Sequence, residues 1–146
     1  LFRSLVKQTP GAVGYVELAY ANQNKLPMAA LKNHDGQFVR PSLEGTSAAA
    51  AGVEVPADYR VSITDARGAD AYPIASFTYL LVYRDQQDRA KGEALLHFLW
   101  WAVHEGQRAA PALDYAPLPH AVVAKIEKTL ESLTVQGKPV PLASAR

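Results

Sequence analysis

Residues 74–83 decide the fold, and they read IASFTYLLVY. Apolar side chains fall on both alternating faces of this stretch, which is typical of a strand covered on both sides in an α/β sheet. Pro73 precedes the stretch, at an edge position where a strand tolerates proline. The run is too short to span a bilayer, which takes about 20 apolar residues. We therefore expect 74–83 to be a buried strand.

Two helices and a tail are predicted after this strand. Asp88 is typical of an N-cap, and apolar residues at helical spacing predict a long helix from there to His104. Pro119 suits the first position of a last helix, whose apolar spacing extends to Leu133. Residues 134–146 have little apolar content, so we predict a tail there.

Shorter elements are predicted before the strand. The residue pattern favours helices over 18–24 and 43–51, with Ser42 as the cap of the second. The dipeptide Asp35-Gly36 is a turn signal for a hairpin. Short strands are expected at four places: 13–16, 29–32, 37–40 and 59–63. Because one buried strand and a few lesser ones do not complete a parallel sheet, either the fold is small and irregular or partner strands lie outside this sequence.

Charge and composition exclude several classes of protein. The chain has 146 residues, with 15 Lys plus Arg against 14 Asp plus Glu and a formal net charge of +1. Seven bases and seven acids precede Tyr72, and eight and seven follow it, so no basic stripe predicts nucleic-acid binding. The absence of cysteine removes disulfides, thiolate metal sites and cysteine nucleophiles.

No residue pattern predicts a catalytic or metal centre. His97 and His104 are seven residues apart, which is two helical turns and not the four-residue spacing of a zinc pair. No Gly-x-Ser-x-Gly elbow occurs. Glu127 and Glu131 lie among lysines, as on a solvated helix face. We therefore expect no catalytic residues, no metal and no cofactor.

One helix start has the composition of a phosphate site. Gly45, Thr46 and Ser47 open a predicted helix, and free amides and hydroxyls at such a position can hold an oxyanion. Glu44 would repel an anion there, and Ser42 already supplies the cap. Simple capping is the favoured interpretation, with Gly45, Thr46 and Ser47 kept as the fallback ligand site.

Four phrases, in order, resemble the family of periplasmic phosphate-binding proteins of ABC-type phosphate importers (PstS-type). They are VKQTPGAVGYVE at 6–17, AYANQN at 19–24, GADAYPI at 68–74 and LDYAPLP at 113–119. The resemblance extends from about Val6 to Leu133, and it matches only the C-terminal half of a family member.

The resemblance implies part of a two-lobed periplasmic-binding-protein (type II) α/β fold, with both lobes incomplete in this chain. It divides the chain into part of the second lobe, an interlobe crossing, the C-terminal part of the first lobe and a tail: 1–70, 71–75, 76–133 and 134–146. Tyr72, Pro73 and Ile74 would form the hinge. In the family, backbone amides, Ser and Thr hydroxyls, one Arg and one Asp hold phosphate, and no position of this chain matches that set.

The implied function is capture of inorganic phosphate by lobe closure and delivery to the permease subunits of an ABC importer, which is binding and transport without enzymatic activity. The implied location is the bacterial periplasm, the cell surface or the exterior. An alternative is a stand-alone interaction or regulatory module of the same fold without anion binding. A third interpretation, a hydrolase of small phosphoesters, is disfavoured. It would need His or carboxylate groups converging in one pocket, and the sequence gives no sign of them. The open sheet edges also predict self-association.

Overall fold

The computed structural model describes Val6 and residues 8–142, and it contains both helices and sheets. The α/β class is therefore confirmed. The helices with described bounds are α1 (Leu18–Gln23), α2 (Leu43–Ala51), α3 (Arg89–Val103) and α4 (His120–Glu131). Two 3₁₀ helices follow α3, at Glu105–Ala109 and Pro111–Leu113. The strands are β1 (Leu31–Lys32), β2 (Phe38–Val39), β3 (Asp85–Gln86), β4 (Thr134–Val135) and β5 (Lys138–Pro139). No helix in this described part is long and apolar enough to cross a membrane.

The predicted helices and the predicted hairpin are confirmed. The hydroxyl of Ser42 accepts a hydrogen bond from the backbone N–H of Gly45, and the carboxylate of Asp88 accepts one from Lys91 N–H. Each bond satisfies an N–H that the first turn of a helix leaves free. Pro119 is the N-cap of α4, one position before the predicted place. Strands β1 and β2 pair antiparallel, and Gly36 has φ 84° in the turn between them.

The segment predicted as a tail begins with a hairpin. Strand β4 pairs antiparallel with β5 and parallel with β3. Gln136 and Gly137 connect β4 to β5, and both have positive φ, at 51° and 73°. Such a pair is typical of a two-residue hairpin turn, because its twist matches that of the strands. Val135 and Leu142 are buried, so part of this segment packs into the core.

The prediction of a strand at 74–83 is wrong. The segment begins with a bend at Ile74 and pairs with no strand in the described part of the chain. Ala71 and Ala75 face the core, whereas Ile74 is 61% exposed and Leu81 is 99% exposed. Apolar residues on both faces indicate burial on both faces, but they cannot supply the neighbouring strands that a sheet requires.

The two lesser strand predictions, at 13–16 and 59–63, are also wrong. Both segments lack strand pairing in the structure. Val13 is 94% exposed, and Tyr15 and Val16 are exposed as well. An apolar pattern without a partner strand is the common feature of all three errors.

The core consists of two separate clusters of apolar residues. The first cluster is rich in alanine, and its buried members are Ala49, Ala50, Ile63, Ala66, Ala71 and Ala75. The second cluster is built mainly from leucine, and its buried members are Leu96, Leu99, Leu130, Leu133, Val135 and Leu142. Phe77 packs on the first cluster and Val82 on the second, so the chain passes from one to the other between these residues.

Helix α3 approaches the small sheet very closely at Gly92. A Cβ atom placed on Gly92 would lie 2.7 Å from Cβ of Gln86 and 2.9 Å from Cγ2 of Val135. Both distances are shorter than van der Waals contact between carbon atoms. The missing side chain therefore lets α3 pack directly on β3 and β4.

Candidate functional site around the predicted hinge

The structure brings the fallback site and the predicted hinge into contact. The backbone N–H of Tyr72 donates to the carbonyl of Gly45 at 3.0 Å. A Cβ atom on Gly45 would lie 3.2 Å from Cβ of Tyr72 and 3.3 Å from the carbonyl oxygen of Asp70. Glycine at this position therefore lets helix α2 touch the segment that enters the hinge. Thr46 and Ser47 lie farther along α2 and are half-buried.

The polar groups of the fallback site are engaged within the helix start. Gly45 N–H donates to the Ser42 hydroxyl at 3.0 Å. The N–H and hydroxyl of Thr46 both donate to the Ser42 carbonyl, at 3.1 and 3.0 Å. Glu44 is exposed beside them. An anion at this helix start would have to displace these bonds and face the Glu44 carboxylate.

The backbone of the predicted hinge is also held from its other side. Asp65 N–H donates to the carbonyl of Pro73 at 2.8 Å, and the hydroxyl of Thr64 donates to the carbonyl of Ala75 at 3.4 Å. Pro73 is buried, whereas Ile74 points to solvent. Burial raises the pKa of the Tyr72 phenol above its usual value. Helix α2 and the loop at 64–65 therefore fix the path of the chain.

Asn33 is the residue that sequence reasoning missed at this site. Its side chain is buried, and its Nδ2 group donates to the carbonyls of Gly68, Ala69 and Ala71 at 3.0, 2.8 and 3.1 Å. Its Oδ1 atom accepts from Gln37 N–H at 2.9 Å. An asparagine two residues before Asp-Gly looks like ordinary turn chemistry, which concealed this role. Only the spatial meeting of residues 33 and 68–71 reveals it.

The hairpin turn has a second attachment to the same segment. The carboxylate of Asp35 accepts a hydrogen bond from Gly68 N–H at 3.1 Å. His34 Nδ1 lies 3.5 Å from Asp65 Oδ2, but both side chains are largely exposed, so this pair contributes little. The turn between β1 and β2 thus packs on the chain immediately before the predicted hinge.

The described residues include no group of three His, Cys, Asp or Glu side chains that could hold a metal ion. His97 Nε2 lies 3.2 Å from the carbonyl of Pro141. His104 sits at the end of α3 and contacts Glu127 on α4. Their measured partners connect elements of the second cluster, which fits a structural use of both residues.

His104 joins α3 to α4 through both ring nitrogens. Nδ1 lies 2.7 Å from the carbonyl of Trp100, and Nε2 lies 2.7 Å from Oε1 of Glu127. The ring also stacks on Trp100, with centroids 4.4 Å apart. Because both partners are acceptors, only the imidazolium can donate to the two of them at once. The Trp100 carbonyl and then the Glu127 carboxylate raise the pKa of His104 above its usual value.

We expect the chain to lose stability as the pH rises through the pKa of folded His104. An unfolded histidine titrates near about pH 6.5, and a raised folded pKa means that protonation favours the folded state. The contribution is complete below the unfolded pKa and is lost above the folded one. Urea unfolding midpoints at about pH 6 and about pH 9 measure it.

The variant Glu127→Gln supplies the control for this pH dependence. Its amide can donate to the neutral Nε2 atom, so its unfolding midpoint should vary less with pH than that of the parent. His97→Gln should retain the parental dependence. Equal pH dependence in the parent and Glu127→Gln would contradict the prediction.

Comparison with known proteins shows sequence similarity to phosphate-binding proteins. The chain is 42% identical over 126 residues, or 85% of its length, to Phosphate-binding protein PstS of Xylella fastidiosa. It is 42% identical over 128 residues to the protein of that name in Haemophilus influenzae, and 40% identical over 136 residues to the one in Methanocaldococcus jannaschii. No protein-family model matches the chain.

The similarity covers most of this chain but a minor part of each relative. The matched region is 85% of this chain and 35% of the Xylella fastidiosa protein, and it is 85% and 38% in the comparison with Haemophilus influenzae. The chain thus spans little more than a third of the length of these relatives. The resemblance to PstS-type phosphate-binding proteins, predicted from four phrases, is confirmed over this region.

Proposed function

We propose that this relative of the PstS phosphate-binding proteins is the C-terminal portion of a phosphate solute-binding protein. The observation that carries the proposal is identity of 39–42% over 80–85% of the chain to proteins named for phosphate binding. These names describe binding and not a reaction, which supports a role without catalysis. The whole protein would capture inorganic phosphate and deliver it to an ABC permease, in the bacterial periplasm or at the cell surface.

The proposal assigns the chain to two lobes. Residues 1–70 would belong to the second lobe, 71–75 would form the crossing, and 76–133 would belong to the first lobe. The existence of two apolar clusters supports two lobes, and Ala75 and Phe77, which pack in the first cluster, favour a crossing a few residues later than 71–75. Burial of Val135 and Leu142 in the second cluster favours adding residues 134–142 to the first lobe.

Tyr72, Pro73 and Ile74 would begin the hinge in this assignment. Their backbone is bonded to α2 on one side and to the loop at 64–65 on the other. Such attachment would limit the change in φ and ψ that these three residues make during lobe closure, so the residues that follow them would share it. Thr78, Leu80 and Leu81 are exposed there and have room to move.

The proposal places the phosphate ligands outside this chain. The sequence of the chain has no counterpart of the residues that hold phosphate in the family. At the fallback site, the N–H groups of Gly45 and Thr46 already donate hydrogen bonds to Ser42. We therefore expect calorimetric titration of the purified chain with phosphate to show no binding, with sulfate as the control anion. Binding at micromolar concentration would instead implicate Gly45, Thr46 and Ser47.

A chimera tests the proposal directly. The matched 126 residues of this chain replace the corresponding stretch of the Xylella fastidiosa protein, and phosphate is titrated into the product. If the chain has the same role in phosphate binding as the stretch that it replaces, the Kd of the chimera should stay within about tenfold of that of the unmodified relative. That range corresponds to about 1.4 kcal/mol of binding free energy. A chimera that unfolds cooperatively but binds no phosphate would contradict the proposal.

One observation favours the alternative of an interaction module without anion binding. Leu80, Leu81 and Tyr83 form an exposed apolar run, which is unusual on a monomer. In that alternative the run would mediate self-association. The mass of the chain in solution tests this, since a dimer that Leu81→Lys converts to a monomer would support the alternative, and a monomeric parent would exclude self-association through this run.

A further inference from the structure

A cluster of contacts ties the loop before the hinge to helix α4. The hydroxyl of Tyr59 donates to the carbonyl of Lys125 at 2.9 Å and also hydrogen-bonds to the hydroxyl of Thr129. In the opposite direction, the Lys125 ammonium donates to the carbonyl of Val55. The same ammonium lies 5.6 Å from the centre of the Tyr59 ring. Tyr59 and Lys125 therefore contact each other in two ways, through a hydrogen bond and through a cation–π contact, and Val55 and Thr129 extend the cluster.

These contacts bridge the two apolar clusters. Val53, at the start of the loop, packs on the first cluster. Ile126 and Leu130, which directly follow Lys125 and Thr129 on α4, pack in the second cluster. A further hydrogen bond holds the same loop. The hydroxyl of Tyr79 donates to the carbonyl of Val61 at 2.9 Å. The bridge thus links the two clusters a second time, in addition to the covalent connection between Phe77 and Val82.

The backbone of Tyr59 is in an uncommon conformation. Its φ is 60°, in the left-handed region that favours glycine and that a bulky aromatic residue seldom adopts. Its hydroxyl reaches α4, and such strained residues persist only where surrounding contacts hold them. Its backbone N–H donates to the carbonyl of Pro56 at 3.0 Å, and the contacts to Lys125 and Thr129 hold its side chain.

We propose that Tyr59 and Lys125 form an interlobe latch that sets the relative position of the two clusters and thereby the affinity for phosphate. The inference rests on the proposed function only in treating the clusters as lobes that move. A contact made in one arrangement and broken in another shifts the population between them, and ligand affinity changes with that population. Tyr59 and Lys125 are positioning residues, since neither needs to touch the anion.

The first test uses the chain without ligand. Because the sequence has no cysteine, Ala51→Cys with Ala94→Cys places one spin label on each side of the bridge at exposed positions. Tyr59→Phe removes the hydroxyl and keeps the ring, and it should raise the population of other separations about fivefold. Tyr83→Phe alters an exposed phenol and should leave the distance distribution unchanged.

Two controls separate the latch from a general loss of structure. Labels at Ala94→Cys and Glu131→Cys both lie on the second-cluster side, and their separation should not respond to Tyr59→Phe. Lys125→Met removes the bond to Val55 and should reproduce the effect on the first pair. An unchanged distance between the first pair in both Tyr59→Phe and Lys125→Met would overturn the proposal.

The second test introduces Tyr59→Phe into the phosphate-binding chimera. The Kd for phosphate should change about fivefold, whereas Tyr83→Phe should leave it unaltered. A changed distance with an unchanged Kd would overturn the effect on affinity and leave only a structural contact. A chimera that binds no phosphate even with Tyr59 intact would count against the proposed function, and the distance measurement would still decide whether the latch exists.

Discussion

Replacement of Leu96 by alanine is expected to lower the free energy of unfolding by about 3 kcal/mol, within the range of about 2 to 5 kcal/mol for buried leucines. Leu96 is fully buried on α3 and belongs to the second cluster, where Leu99 and Leu130 are also buried. The truncation removes apolar surface from the core and leaves a cavity that helix α3 cannot close by itself. Because domains are stable by about 5 to 15 kcal/mol, the loss should be plain in urea unfolding.

Phe98→Ala is the matched control for Leu96→Ala. Phe98 is on the same helix and has the larger side chain, but it is 56% exposed. Its truncation should lower the free energy of unfolding by less than about 1 kcal/mol, because more than half of the side chain is already exposed to water in the folded state. The fluorescence of Trp100 and Trp101 reports on α3 directly, and circular dichroism reports on the whole chain. Equal losses in the two variants would contradict the assignment of Leu96 to the core.

Local signals in the sequence predicted the elements whose stability is local. Ser42 and Asp88 cap their helices because a side-chain oxygen and the free N–H groups lie within three residues. Asp35-Gly36 sets the hairpin for the same reason, since the turn needs positive φ at Gly36 and its partners are close in sequence. These features depend on contacts inside one element, and a single sequence contains them completely.

The strand predictions failed because a strand exists only in a sheet. Residues 74–83 have the composition of a central strand, but pairing depends on another segment that pattern analysis cannot locate. The reverse error occurred at 134–139. Thr134–Val135 looked too polar for a core, yet it forms β4 because β3 lies beside it. In both cases the deciding information is the neighbouring strand.

The contacts of the candidate site could not be predicted from the sequence. The phrase GADAYPI assigned the hinge to Tyr72, Pro73 and Ile74 by resemblance to a family, and that assignment stays a prediction. The groups that hold this segment are Gly45, through its carbonyl, and Asn33, through its amide. Gly45 looked like part of a phosphate loop and Asn33 like a turn residue. Their contacts join residues 27 and 38 positions apart, which no local motif encodes.

Replacement of Asn33 by alanine is expected to lower the free energy of unfolding by about 3 kcal/mol. The side-chain amide of Asn33 has two N–H groups, and they donate to three backbone carbonyls, those of Gly68, Ala69 and Ala71. Without this donor the buried bond to the Ala71 carbonyl and the part-buried bond to the Ala69 carbonyl are lost, whereas the Gly68 carbonyl still accepts from Ala71 N–H. A buried acceptor left unsatisfied costs about 1 to 3 kcal/mol. The first cluster is built from small alanines, so packing there offers little to offset the loss.

Asn33→Asp separates the donor from the size of the side chain. It preserves an oxygen for Gln37 N–H but turns a second oxygen toward the three carbonyls, so at neutral pH the loss should be at least as large as in Asn33→Ala. Asn22→Ala is the matched control, because Asn22 is exposed and bonds to Asp114 at 2.7 Å, and its removal should cost less than about 1 kcal/mol. Urea unfolding followed by circular dichroism measures all three. If Asn33→Asp were as stable as the parent, the amide donor could not be what holds the hairpin turn to the segment before the hinge.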